Sequence, residues 1–261
     1  MSPQTCGEIR ILAVTTSAGF VPGLPGAGSP ATIFCTGLNI GAAGTDSGPA
    51  LPVQIQGITV RFADSFQAPI YGVADLGSYQ IVNFQMPWES HLSPISLSQD
   101  GQSAALPSGL ASWGEFFTTA DGLAIAMHAS SFSLISPSDP EKPGEWIVLY
   151  GSNFGPVLGA PATGLPAPID RLVPVDPGTP VPWQFQIWLR DPLGDRLLNS
   201  NFIGLAPALI GAYQINVQLP DSLPPGGVQI YVTRTRDCGF FFLQGCGRGI
   251  IHDVSTIALL R

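Results

Sequence analysis

An alternation written twice constrains this chain more than any other feature. Residues 213–220 read Tyr-Gln-Ile-Asn-Val-Gln-Leu-Pro, so Tyr213, Ile215, Val217 and Leu219 are apolar and Gln214, Asn216 and Gln218 lie between them. Successive side chains of a strand point to opposite faces, so this segment carries one apolar face and one amide face. Residues 79–87 read Tyr-Gln-Ile-Val-Asn-Phe-Gln-Met-Pro. One insertion aligns Tyr, Gln, Ile, Asn, Gln and Pro of the two segments. The extra residue, Val82, shifts the phase of the residues after it and predicts a β-bulge there.

A second pair of blocks lies upstream of these. Ile33-Phe34-Cys35-Thr36-Gly37-Leu38-Asn39 parallels Val148-Leu149-Tyr150-Gly151-Ser152-Asn153-Phe154-Gly155. The chain therefore reads as two copies of one unit, each of roughly 100 residues or slightly more, an ordinary domain size. The turn-forming stretch Pro137-Ser138-Asp139-Pro140-Glu141-Lys142-Pro143-Gly144 marks the boundary. The expected domains are 1–136 and 137–261. Further period-two runs, Phe185/Ile187/Leu189 and Val228/Ile230/Val232, recur about every ten residues with turns such as Pro224-Pro225-Gly226-Gly227 between them, the pattern of antiparallel sandwiches. The fold class is all-β, in tandem sandwiches.

Composition narrows the functions. Only 11% of residues are charged, against about 25% in average proteins. With Gly 31 and Pro 26, that excludes a coiled coil and an acidic disordered tail. The net charge is −8 and the densest basic stretch is Arg234, Arg236 and Arg248, broken by Asp237. Nucleic-acid binding needs clustered cations, so it is not expected. The long uncharged stretch between Arg10 and Asp46 contains Pro22, Pro25 and Pro30, which forbid a membrane helix. No signal peptide is read, so the expectation of export takes the leader as already removed.

Four cysteines, Cys6, Cys35, Cys238 and Cys246, form no Cys-x-x-Cys, and the chain has three histidines, so neither a zinc site nor any other cofactor is expected. Three connectivities are open; Cys238–Cys246 and Cys6–Cys35 are favoured, with free thiols as the alternative. Paired cysteines and scarce lysine point outside the cytoplasm.

Several of these residues fall in a familiar order: Ser17-Ala18-Gly19-Phe20-Val21-Pro22-Gly23, Ile33 to Gly37, Tyr79 to Glu89, Phe116 to Gly122, Pro143-Gly144-Glu145, Val148 to Gly155 and Tyr213 to Pro220. The chain resembles a family of uncharacterised C-terminal domains of large secreted acidobacterial proteins, related to the immunoglobulin-like IPT/TIG modules. The resemblance implies tandem immunoglobulin-like domains, export and a surface or matrix role. It carries no catalytic residues over. Two departures stand out: the family usually has Gly where this chain has Cys35, and its last hairpin is short where this chain has 237–249.

Candidate chemistry is sparse. A nucleophilic triad needs Ser or Cys, His and a carboxylate in contact. His252 and Asp253 are adjacent on a strand and point apart, and His128 follows an apolar run as a strand-end residue. Asp191 and Asp195 read first as a turn and second as a calcium loop. Trp88-Glu89 and Glu145-Trp146 could line a sugar subsite or pack. Gln80, Asn83, Gln85, Gln214, Asn216 and Gln218 could form a polar ladder for carbohydrate or cover a solvated face. The segment Cys238-Gly239-Phe240-Phe241-Phe242-Leu243-Gln244-Gly245-Cys246 is a hairpin finger, and three consecutive Phe cannot all face inward. Either it presents Phe240, Phe241, Phe242 and Leu243 to a partner, or it folds back on the chain.

The expectation is a non-enzymatic, cell-surface or extracellular structural or adhesive module, able to self-assemble into a polymer through protein contacts. The neutral run from Ile250 to Leu260 offers an edge for strand addition. A carbohydrate-binding module of a secreted protein is the alternative.

Overall fold

The computed structural model describes residues 8–45, 48–62, 66–89, 94–106, 109, 113–178, 182–224, 227–237, 250–255 and 258–260. These hold strands and turns and no helix. The chain forms two compact units: Met1–Ser112 with Gly159–Arg171 and Pro207–Gly211, and Trp113–Leu158 with Leu172–Ala206 and Ala212–Arg261.

The first unit contains β1 (Arg10–Thr16), β2 (Pro30–Thr36), β3 (Gly44–Thr45), β4 (Thr59–Phe62), β5 (Gln67–Ala68), β6 (Ile70–Asp75), β7 (Gln80–Gln85), β8 (Ile95–Gln99) and β9 (Gln102–Ala105). One sheet has the order β1-β2-β7-β6-β3, the other β5-β4-β8-β9, all pairs antiparallel. Ala31, Ile33, Cys35, Val82 and Phe84 of the first sheet and Val60, Phe62, Ile95 and Leu97 of the second belong to one buried cluster. Alternation thus places one face of each sheet inward. This is the immunoglobulin arrangement of two Greek-key sheets.

The second unit contains β10 (Glu115–Phe116), β11 (Ala126–His128), β12 (Trp146–Ser152), β13 (Val173–Pro174), β14 (Gln184–Asp191), β15 (Gly194–Leu197), β16 (Asn199–Leu205), β17 (Tyr213–Gln218), β18 (Val228–Asp237), β19 (Ile250–Val254) and β20 (Ala258–Leu260). Its sheets run β10-β12-β17-β16-β13, with β11 also on β12, and β15-β14-β18-β19, with β20 also on β18. Apart from β20, this repeats the strand order of the first unit. The counterpart of β1 is split into β10 and β11, both of which pair with β12.

That split moves the boundary. Residues 113–136, placed in the first domain by sequence, supply the first strand of the second unit. The Pro137–Gly144 stretch joins β11 to β12 inside one unit. Conversely, 159–171 and 207–211 come from the second half of the chain and belong to the first unit.

The register also corrects the bulge. β7 pairs with β2 without interruption from Gln80 to Gln85, so Val82 is not bulged. The irregularities lie in the neighbouring strand: Tyr71 is extra between Ile70 and Gly72, and Asn201 is extra between Ser200 and Phe202. Both fall opposite corresponding residues, between the partners of Phe84 and Asn83 and between those of Val217 and Asn216. The bulge is therefore part of the duplicated unit. The inward residues Gln80, Val82 and Phe84 correspond without a gap to Tyr213, Ile215 and Val217. Keeping the letters Tyr-Gln-Ile in line breaks the inward–outward phase, which is what burial enforces.

In this register Gln80 and Tyr213 share a task. Gln80 Nε2 donates to the Leu38 carbonyl and its Oε1 accepts from the Leu38 amide. Tyr213 Oη donates to the Gly155 carbonyl. Each ties down the segment that follows β2 or β12. Gln99 makes the same two-way bond to Asn39, and Gln56 bonds the Gly41 amide and Ala42 carbonyl. Three glutamine amides stand in for a neighbouring strand along 38–42.

Candidate functional site

The finger residues Phe240, Phe241, Phe242 and Leu243 lie outside the described residues, as do Cys6, Cys238 and Cys246. The strands that flank the finger, β18 and β19, pair up to Asp237 opposite Ile250. Cys35 is described, and it is a free thiol. It is fully buried on β2, its Sγ donates to the Gln80 carbonyl at 3.7 Å, and burial pushes its pKa up to about 12. The expected link from Cys35 to Cys6 is thus not formed by Cys35. The residue behaves as a small core hydrophobe, which is why Gly151 can stand at the corresponding point of β12.

His128 has organised polar surroundings. Only 2% of its surface is exposed. Nδ1 lies 2.8 Å from Glu145 Oε2, and Nε2 lies 3.3 Å from the Asp139 carbonyl and 3.4 Å from its carboxylate. Glu145 Oε1 also accepts from the Lys142 amide, Lys142 Nζ lies 4.0 Å from Asp139, and burial raises the Glu141 carboxyl nearby. The histidine thus fastens the Pro-rich connection to β11. The Glu145 hydrogen bond raises its pKa above 6.5, desolvation opposes this, and the Asp139 carbonyl and both carboxylates add to the rise. A raised value means that folding favours the imidazolium. Its stabilisation is complete below about pH 6.5 and fades as pH climbs through the folded value. The melting temperature of the second unit is therefore expected to fall as pH rises above about 6.5. His128→Gln should flatten that slope and cost about 2 kcal/mol at the acid end, read by thermal denaturation. A slope of equal size in the variant would refute the assignment.

The other candidates are engaged structurally. Asp191 accepts from the Leu193 amide and pairs with Arg196, while Asp195 pairs with Arg190 at 2.7 Å. Both carboxylates are neutralised by arginine, and no metal-holding group of three or more acidic, His or Cys side chains occurs among the described residues. Trp88 lies over Gly28, whose missing side chain leaves room for the ring, and Glu89 accepts from Thr163 Oγ1. The amides do not form a ladder. Gln80 and Gln85 are buried and bonded inside the first unit; Asn83 accepts from Thr32. Gln214 donates to Asn216, and Gln218 donates to the Gly144 carbonyl. Near-parallel rings do occur, Trp188 and Tyr231 at 14°, but Arg190 sits 4.9 Å over the Tyr231 ring.

A cation–aromatic stack is a feature the sequence reading missed. Val228, Ile230 and Val232 face the core, and the same alternation carries Arg234 and Arg236 onto that face beyond it. Arg234 Cζ lies 4.5 Å from the Trp113 ring and 4.5 Å from the Trp183 ring, and Arg236 Cζ lies 5.6 Å from Trp183. Trp113 meets Phe154 edge-on at 5.6 Å. The densest basic stretch is thus in part engaged with indoles, Arg234 with Trp113 and Trp183 and Arg236 with Trp183. The available signal was the continuation of the period-two pattern from Val to Arg.

Neither a protein-family model nor a curated protein sequence matches the chain. Among solved structures, one comprising manganese lipoxygenase of Gaeumannomyces graminis and part of zonadhesin of Komagataella pastoris is similar at 8% identity and a TM-score of 0.20, over 98% of this chain and 99% of that one. A likeness that low carries no argument about function.

Proposed function

We propose that the chain is a non-catalytic extracellular module with a structural or adhesive role, built from two immunoglobulin-like sandwiches and able to assemble through its surfaces. The observation that carries the reading is where its polar chemistry goes: His128, Asp191, Asp195 and the buried glutamines each hold a loop or a turn of the sandwich. The resemblance to secreted acidobacterial domains supports export. No helix among the described residues is long and apolar enough to cross a membrane. β19 and β20 form the outer edge of their sheet, where a neighbouring copy could add a strand.

The test is light scattering over a range of concentrations. The chain should form concentration-dependent oligomers, and the triple change Phe240→Ser, Phe241→Ser and Phe242→Ser should weaken them at least tenfold without lowering the melting temperature. A monomer at every concentration, or oligomers indifferent to the triple change, would remove the finger from the reading. A second reading, carbohydrate binding, is favoured by a polar depression on the first unit.

A further inference from the structure

The outer face of the sheet β5-β4-β8-β9 carries Arg61 and a set of short side chains. Val60, Phe62, Ile95 and Leu97 point inward, so Arg61, Ser96 and Ser98 point outward, with Thr59 on the same side but buried at 6% exposure, and Ser103 and Ala105 of β9 continue their rows. Thr59 stands opposite Ser98 and Ser98 opposite Ser103, giving three hydroxyls side by side across three strands. The corresponding face of the second unit is filled by Trp188, Tyr231 and the Arg190–Asp195 pair. Here it is a depression of about 390 Å³, within the size range of small-ligand sites.

Two tight turns close one end. Gln56-Gly57 and Asp100-Gly101 both have positive φ, 50° and 78° and 50° and 82°, the two-residue hairpin geometry. They meet there: a side chain on Gly57 would touch Asp100 Oδ1 at 3.4 Å. Gln99 fixes both neighbours by donating to the Gln56 and Asn39 carbonyls, so the end wall is preorganised. Further along β4 stands Arg61. Its Nε donates to Thr59 Oγ1, and no carboxylate lies within ion-pair distance of it among the described residues. Gln54 completes the rim.

Hydroxyls, amides, one carboxylate and one guanidinium that has no ion pair among the described residues match a polyhydroxylated ligand carrying a negative charge. We propose that this depression binds an acidic saccharide, with Arg61 pairing a uronate carboxylate and Ser98, Ser103 and Asp100 bonding ring hydroxyls. No aromatic ring lines it, so the expected affinity is weak, in the millimolar range. The site does not depend on assembly and stands or falls separately from the adhesive reading.

The test is a backbone-amide NMR titration of the full chain with tetragalacturonate and with cellotetraose as the neutral probe. The acidic probe should shift β4, β8 and β9 and bind about tenfold more tightly than the neutral one. Arg61→Gln should remove that tenfold preference, and Ser98→Leu, which fills the depression, should abolish both responses while the melting temperature holds. Overturning results are the absence of shifts in these strands, shifts confined to other strands, or an acidic preference that survives Arg61→Gln.

Discussion

Gln85→Leu is expected to unfold the first unit several degrees early, as one of the two largest effects of a single change in this chain. Gln85 sits at the end of β7 with no exposed surface. Its Nε2 donates to the Gly28 carbonyl at 3.0 Å and its Oε1 accepts from the Gly164 amide at 2.8 Å. Gly164 also accepts from the Leu51 amide, and nearby Tyr71, the bulged residue of β6, donates from Oη to the Ile210 carbonyl. One amide thus joins the loop before β2 to a segment that arrives from the second half of the chain. Leucine matches the volume but leaves a buried donor and a buried acceptor empty. At about 1–3 kcal/mol for each orphaned group, the loss is roughly 2–6 kcal/mol. For a protein of this size that is a fall of roughly 10 °C in melting temperature. Hydrogen exchange supplies the residue-level check: the Gly164 amide should exchange much faster in the variant. Unchanged protection there would show that Gln85 does not hold the segment.

Gly151→Ala should be as damaging in the second unit, and for a backbone reason. Gly151 lies on β12 opposite Phe116, and a Cβ there would sit inside van der Waals contact of the Glu115 carbonyl oxygen and 2.9 Å from the Phe154 ring. The carbonyl belongs to the paired strand and cannot rotate away, so β10 must separate from β12. Overpacking alone costs about 1–3 kcal/mol, and the lost pairing adds to it. The first unit shows how the same place accepts a side chain: Cys35 stands there, with Leu38 where the second unit has Phe154. Adding Phe154→Leu to Gly151→Ala should therefore recover only the part of the loss due to the ring. Chemical denaturation of both variants measures the split; a double variant as stable as the parent would mean that the Glu115 carbonyl imposes no constraint.

Much of the architecture is legible in the residue pattern. Period-two alternation at Tyr213–Leu219 and Val228–Val232 implies half-buried strands, and the recurrence of Tyr-Gln-Ile and of the Ile33 and Val148 blocks implies a duplication. These are local signals, because burial on one face of a strand is imposed residue by residue. The phase of the repeat is not legible in the same way, because matching letters is a weaker constraint than matching faces: Gln80 can take an inward position only because the Leu38 backbone satisfies its amide. The arginine stack and the depression by Arg61 are likewise hidden, since both depend on which strands lie side by side.

Strand content, the all-β class and the twofold repeat come from the sequence alone, through propensity, turn residues and alternation that act over a few neighbours. Which segments complete which unit was decided only by the tertiary structure. Residues 113–136 join the second sandwich and 159–171 the first because hydrogen-bonding edges and buried amides such as Gln85 find partners far away in the chain. No short-range pattern encodes that choice.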